Sequence, residues 1–260
     1  MIKNLSQPTI SIIIPALNEE ANVQKTVMEV LDVLPDYFSD YELLLINDGS
    51  TDQTGAVMEH LAKDYGHIRV FHSAKNLGLG ASYKRGVAEA RFEYIMIVFS
   101  DGGLPPANLV TMFEQIGKAD IVVGYVPNLK QIKSLTRYLI SRSYTVMLNF
   151  LFGLNIKYYN GSAIYRREAF ADIDITSERF GFQGEILVKL LKLGYSYVQA
   201  PVPGAVGKTD AVRVKNFVNV GKTLLGLLLQ VYQLKLMVND SSSKQEIRKR
   251  NNTLSSTYLK

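Results

Sequence analysis

Between Thr9 and Glu114, short β-branched runs alternate regularly with helical stretches, and this alternation restricts the fold more than any other feature. Thr9 to Ile14, Tyr41 to Ile46, Ile68 to His72 and Tyr94 to Phe99 are apolar and β-rich, and Asp120 to Gly124 adds a fifth run. Runs that are apolar throughout belong to strands covered on both faces, and the intervening helices supply the cover. The pattern predicts βαβ units and a largely parallel α/β sheet. In such open sheets a ligand sits outside the carboxyl ends of the strands. The loops PALNEE, NDGSTD, KNLGLG and SDGGLPP, which begin at Pro15, Asn47, Lys75 and Ser100, are therefore expected to converge on one crevice.

The second half should cover that crevice. A long helix is predicted from about Lys130 to Phe152, followed by the segment Tyr158 to Tyr165, a helix from Gln183 to Leu193 and a strand near Tyr197 to Pro201. On the long helix Arg137, Ser141, Thr145 and Asn149 recur every four residues, a polar stripe expected to face a ligand cavity or water. Val212 to Val238 reads as a further helix with a narrow polar face and a wide apolar one. Lys222 and Lys235 bracket only twelve residues, fewer than the ~20 that a helix needs to cross hydrocarbon. It is expected to lie on a bilayer surface. Beyond Asn239 the composition predicts a disordered basic tail. The division is 1–211, a catalytic α/β domain; 212–238, an interfacial helix; and 239–260, the tail.

The absence of cysteine excludes disulfides and thiolate metal sites and suits a reducing compartment. Met1 to Ser11 lacks the basic-then-apolar pattern of a secretory signal, so a cytoplasmic, peripherally membrane-associated protein is expected. The formal charge of +5 favours anionic partners. Nucleic acid is not expected among them, because the basic residues are not interleaved with aromatics on a sheet face.

Each loop offers specific chemistry. Asn18 and the backbone of Pro15 and Ala16 can contact a base; alternatively Asn18 caps a helix whose dipole Glu19 and Glu20 complement. Asp48 ends a buried strand, where its carboxylate can accept hydrogen bonds from a base or ribose. The Lys75 loop is not a dinucleotide fingerprint, since Tyr83 stands where the third glycine belongs and the loop follows the third strand. Asp101 is one carboxylate on a Gly-rich loop, able to hold Mg²⁺ or Mn²⁺ if water and substrate phosphate fill the other positions. An ordinary Asp-Gly turn is the alternative.

The segments SIIIPALNEE, LLLINDGSTDQT, KNLGLGASYKRGVAEA, ADIVVGY, RYLISRSYTVMLNFLFGL, YYNGSAIYRRE and GFQGEILVKLLKLGYSYVQAPV occur in an order that resembles the family 2 glycosyltransferases. The branch most resembled contains the dolichyl-phosphate mannosyltransferase-like and polyprenyl-phosphate glycosyltransferases. The resemblance implies a GT-A fold and an inverting transfer of a sugar from a nucleotide sugar to a polyprenyl phosphate. A saccharide acceptor, or a non-catalytic relative that only binds the nucleotide sugar, are the alternatives. It further implies that Pro15, Ala16, Asn18, Glu19, Asp48 and Lys75 lie on the nucleotide side, with Asp101 at the ribose and metal. Arg137 and Ser141 would meet the donor phosphates. Asn160, Gly161, Ser162 and Gln183 would border the acceptor. If the acceptor is a sugar hydroxyl, a carboxylate must take its proton and Glu185 is the candidate; alternatively Glu185 only begins a helix. A membrane surface or a small membrane subunit is the implied partner. The chain departs from the family pattern at Phe99 and Gly103, which replace acidic residues beside Asp101. It departs again near Gly204, where an arginine is usual and Lys208 or Arg213 would stand in.

Overall fold

The computed structural model describes residues 7–101, 104–178 and 181–204. Seven strands form one sheet: β1 (Thr9–Ala16), β2 (Asp40–Asn47), β3 (Ile68–His72), β4 (Tyr94–Ile97), β5 (Ile121–Tyr125), β6 (Ala163–Arg166) and β7 (Tyr197–Pro201). Their order is β3-β2-β1-β4-β6-β5-β7. All neighbours run parallel except β6, which is antiparallel to both β4 and β5. This insertion went unread in the sequence because four residues carry too little period to mark a strand.

Side-chain alternation divides the core in two. Ile10, Ile12, Ile14, Leu43, Leu45 and Met96 point to one face, where they meet α1 (Val23–Leu31), α3 (Thr54–Asp64) and α5 (Pro106–Phe113). The short α2 (Leu34–Tyr37) closes the same layer. Ile13, Leu44, Ile46, Ile95 and Ile97 point the other way, toward α4 (Leu79–Glu89), α7 (Leu135–Phe152) and α8 (Phe182–Lys192). Burial on both faces is the physical reason that β1 and β2 read as unbroken apolar runs.

The long helix expected from Lys130 to Phe152 is broken. A one-turn α6 (Leu129–Ile132) ends at Lys133, which is extended, and α7 starts after Ser134. Lys133 lies over the ring of Tyr158 and donates to its hydroxyl at 3.2 Å, a contact that an unbroken helix would have to rearrange. The polar stripe also differs from expectation in its lower half. Asn149 exchanges hydrogen bonds with the backbone of Ile156 and accepts one from the Tyr159 hydroxyl. Thr145 donates to the Ser141 carbonyl. Asn149 thus fastens the turn after α7, and the Thr145 hydroxyl is committed within the helix.

Among the described residues no helix is long and apolar enough to cross a membrane. The expected helix 212–238 and tail 239–260 lie outside the described residues, as do Gly103, Lys208 and Arg213.

Candidate active site

The strand order creates a switch point. From β1 the chain runs outward to β2 and β3 and then returns to β4 on the other side of β1. From there the connections run in opposite directions along the sheet, α1 toward β2 and α5 toward β5, both on one face, and the carboxyl ends beside such a reversal are where open α/β sheets bind ligands. Pro15 and Ala16 form one lip and Ser100 and Asp101 the other. The Ser100 hydroxyl donates to the Pro15 carbonyl at 2.9 Å, and the Thr26 hydroxyl, from α1, donates to the Ser100 carbonyl at 3.1 Å. Both hydroxyl residues are buried, whereas Asp101 is exposed one residue further on. The loop that carries the carboxylate is thus fastened to β1 from below. Ser100 was read only as the start of its loop, and Thr26 was not singled out, because a contact between residues 74 apart leaves no local pattern.

The first two loops are cross-tied. Asn18, with φ 56°, donates its backbone N–H to the Ser50 hydroxyl at 3.0 Å, and its side-chain oxygen accepts from the Thr51 N–H at 2.9 Å. Asn tolerates this left-handed conformation better than most residues. The backbone N–H of Glu19 donates to Thr54 at 2.8 Å, and the Glu20 carboxylate accepts from the Gln53 N–H at 2.8 Å. Asn18 therefore does not cap α1; the capping position is Asn22, because the Asn18 side chain is committed to Thr51. Burial works against ionisation of Asp52. Hydrogen bonds from the Thr54 side chain and the backbones of Thr54 and Glu20 outweigh it and hold the carboxyl below its ordinary pKa.

Asp48 ties the second loop to the third. It is buried, and its two oxygens accept from the backbone N–H groups of Leu77 and Gly78, both at 2.9 Å. Gly49 follows with φ 74°, and a Cβ there would stand 2.5 Å from the Lys75 backbone carbon. Only glycine meets both demands. Lys75 is exposed on that loop.

Arg137 is half-buried near the start of α7, and Ser141 is buried one turn later. The hydroxyls of Ser141 and Tyr144 are buried with no hydrogen-bond partner among the described residues. Burial first, and the Glu185 charge second, push the Tyr144 hydroxyl up to about 12, so it stays a proton donor at neutral pH. Such orphaned groups cost about 1–3 kcal/mol each, a cost that a ligand oxygen would offset. Gly161 and Gln183 are joined, the Gln183 amide donating to the Gly161 carbonyl at 2.8 Å. The buried Ser162 accepts from Gly124 at 2.9 Å, and Asn160 is exposed beside them.

Glu185 is placed differently from a general base. It is fully buried at the start of α8. One oxygen accepts from the Thr176 N–H at 3.0 Å, the Thr176 hydroxyl at 2.8 Å and the Lys189 ammonium at 2.5 Å. The other accepts from the Ser177 N–H at 2.9 Å. Burial opposes its charge, yet the hydrogen bonds from Lys189, Ser177 and Thr176 prevail and lower its pKa. The expectation of Glu185 as a base is corrected on this ground: the carboxylate clasps the 174–177 loop. That loop in turn packs on α4, where a Cβ at Gly80 would meet the Ser177 carbonyl oxygen at 2.1 Å. Gly80→Ala is expected to lower stability by about 1–3 kcal/mol, read as a shifted urea midpoint; an unchanged midpoint would contradict the close approach.

Asp101 is the carboxylate that the sequence offered to a divalent cation. Among the described residues no group of three or more potential metal ligands comes together, and the Ser100 hydroxyl is engaged with Pro15. Asp101 therefore fits a cation that brings phosphate and water oxygens as its remaining ligands, not one held by protein alone. Gly204 is the last described residue of the segment after β7. It exchanges two hydrogen bonds with Asn128, at 2.9 and 3.0 Å.

The chain is similar to several characterised proteins. It is 29% identical over 204 residues to the polyprenol monophosphomannose synthase of Mycolicibacterium smegmatis, a match covering 74% of this chain and 75% of that one. It is 24% identical over 216 residues to glycosyltransferase AglD of Haloferax volcanii, covering 78% of this chain but only 35% of the relative's length. In structure it superposes on Mycobacterium tuberculosis glucosyl-3-phosphoglycerate synthase, crystallised with Mg²⁺ and UDP. The TM-score is 0.64 at 18% identity, over 85% of this chain and 79% of that one. That likeness shows a shared GT-A type fold. The family model for glycosyl transferase family 2 matches residues 11–174, more than half of the 260 residues, and the chain belongs to that family.

Proposed function

We infer that this protein transfers a sugar from a nucleotide-sugar donor to the phosphate of a polyprenyl lipid, with inversion at the anomeric carbon. The observation that carries the inference is the switch-point crevice, where Asp101 is presented on a loop fastened to Pro15 through Ser100 and Thr26. The names of the polyprenol and undecaprenyl-phosphate mannosyltransferases among its relatives support the acceptor.

In the proposed reaction one phosphate oxygen of the lipid forms a bond to the anomeric carbon as the bond from that carbon to the diphosphate breaks. The electron pair departs on the nucleoside diphosphate. Pro15, Ala16, Asn18, Glu19, Asp48 and Lys75 form the nucleotide side. Arg137 and the Ser141 hydroxyl stabilise the charge that grows on the leaving group. Lys208 and Arg213 are proposed to assist. A cation at Asp101 would supply electrophilic stabilisation of the same oxygens. Asn160, Gly161, Ser162 and Gln183 border the acceptor. A phosphate monoester, with its second pKa near ~6, is largely ionised at neutral pH and needs no base, which agrees with the commitment of Glu185 to its clasp. Work at the cytoplasmic face of a membrane, with residues 212–238 lying on the surface, belongs to the same proposal.

Incubating the protein with undecaprenyl phosphate and a panel of labelled nucleotide sugars should yield a lipid-linked sugar. No lipid product from any donor would remove the proposal. Arg137→Lys keeps the charge but loses the planar fork, and should cost about 1.5–3 kcal/mol of leaving-group stabilisation. Turnover should accordingly fall by roughly tenfold to a hundredfold; an unchanged turnover would take Arg137 out of the mechanism.

A further inference from the structure

β2 and β3 end side by side, with Asn47 and His72 in register as their last residues. Their side chains meet, the Asn47 Nδ2 lying 2.9 Å from the His72 Nδ1. At one end of this row the Asn47 Oδ1 accepts the Ser50 backbone N–H at 3.0 Å, and at the other the His72 Nε2 lies 2.8 Å from the Glu59 Oε1 of α3. The two ends fix the role of every atom between them. A backbone N–H only donates, so the amide oxygen of Asn47 must face Ser50 and its NH₂ must face the ring. An NH₂ group also only donates, so Nδ1 must accept. The ring proton then sits on Nε2, where the Glu59 carboxylate accepts it. Two helices hold the pair in place. A Cβ at Gly55 of α3 would stand 2.8 Å from the Asn47 Nδ2 and 3.3 Å from the His72 Cε1. Arg85 of α4 donates to the His72 carbonyl at 2.7 Å.

The row leads into the first loops of the site. Ser50, whose N–H Asn47 holds, accepts through its hydroxyl from the Asn18 N–H at 3.0 Å, and Asn18 carries the left-handed φ of 56°. Asn47 is buried and immediately precedes Asp48. His72 and Glu59 are exposed by contrast, with 44 and 52% of their side chains accessible. An exposed pair of this kind adds little to global stability. Its effect is local. With a proton on Nδ1 the Asn47 amide would have to turn over, and the Ser50 N–H would lose its acceptor.

We propose that His72 is a positioning residue of the nucleotide side, acting through Asn47 and Ser50 in its Nε2–H tautomer. The bare Nδ1 holds the Asn47 amide in the one orientation that serves Ser50, and Glu59 keeps the ring proton on the opposite nitrogen. Loss of that lone pair frees the Ser50 loop and, with it, the backbone of Asn18. The inference rests on the placement of the donor nucleotide proposed above, at Asn18 and Asp48.

Nitrogen NMR spectra of the full chain, isotopically labelled at histidine, test the tautomer. Of the three histidines, the one whose signals vanish in His72→Asn should show a bare Nδ1 and a protonated Nε2 in mildly alkaline buffer. The opposite tautomer would overturn the proposal. Asn47→Asp keeps an oxygen toward Ser50 but turns an acceptor on the ring, and should move a proton onto Nδ1; an unchanged Nδ1 would also count against it. Calorimetric titration with UDP, GDP, dTDP, CDP and ADP, each with Mn²⁺, measures the consequence. For the nucleotide bound most tightly, His72→Leu should raise Kd about fivefold, the scale of one hydrogen bond. His72→Asn, whose Oδ1 stands near the place of Nδ1, should restore Kd to within about twofold. The melting midpoints of both variants should match that of the unmodified protein, since the ring is exposed. A lowered midpoint with an unchanged Kd would assign His72 to stability and overturn the proposal, as would an equal loss of affinity in both variants. If the unmodified protein binds none of the five nucleotides, the nucleotide placement itself fails and this role with it. Tight binding that ignores His72→Leu removes only this role.

Discussion

Asp101→Ala is expected to lower sugar transfer by about 100- to 1,000-fold, the scale on which removing one pre-positioned electrostatic group acts in an active site. The size of the effect follows from the departures around this residue. Phe99 stands where a first carboxylate is usual, and no group of three metal ligands exists among the described residues. On the proposed reading, one carboxylate would perform a task that two or three commonly share. The crevice holds it in place through the Ser100 and Thr26 hydrogen bonds. Metal dependence is the accompanying test. A ligand that binds only the folded state raises the melting midpoint by mass action. The unmodified protein should thus show a larger midpoint shift from donor plus Mn²⁺ or Mg²⁺ than from donor plus chelator. In Asp101→Ala the two shifts should coincide. A variant that transfers sugar at the unmodified rate would remove Asp101 from the site. A midpoint fall in the variant without ligand would move its role to folding.

Much of this arrangement was legible in the sequence. β1, β2, β4 and β5 could be read from their apolar cores, and β3 and β7 from β-branched and aromatic residues bounded by turn residues; strand polarity then indicated the carboxyl ends as the ligand side. What could not be read depends on contacts between residues far apart. Asp48 was expected to hold a base, and its position at the end of β2 is as predicted. That both its oxygens fasten Leu77 and Gly78 required knowing where the third loop folds back. The α7 stripe was visible as a period, but a period does not say which side of a helix is outward. Leu135, Leu139, Val146 and Phe150 are exposed whereas Ser141 and Thr145 are buried, a choice between the two expected sides that the period alone could not make. Glu185 is a third case. An acid in the first turn of a helix is ordinary, and its i,i+4 relation to Lys189 is readable. Its enclosure by Thr176 and Ser177 is not.

Glu185→Ala is expected to lower the unfolding free energy by about 3–5 kcal/mol, because it leaves the Lys189 ammonium buried without its carboxylate. Lys189 is 4% exposed and would keep only the Asp174 carbonyl as a partner. Replacing both charges together, as Glu185→Leu with Lys189→Met, should recover most of that loss, since a buried ion pair is often no more stable than a packed apolar pair. Acid behaviour separates the two proteins. The folded pKa of Glu185 is below its ordinary value of 4.5, so its contribution is complete above that pH and disappears as pH falls through the folded-state value. The unmodified protein should therefore lose stability below about pH 4.5 more steeply than the double variant. If Glu185 acted as a base on a hydroxyl acceptor, the double variant would be stable and inactive. If it is the clasp that its four hydrogen bonds describe, the double variant should transfer sugar to a lipid phosphate at a rate near that of the unmodified protein. Chemical denaturation followed by a transfer assay on the same preparations decides between them.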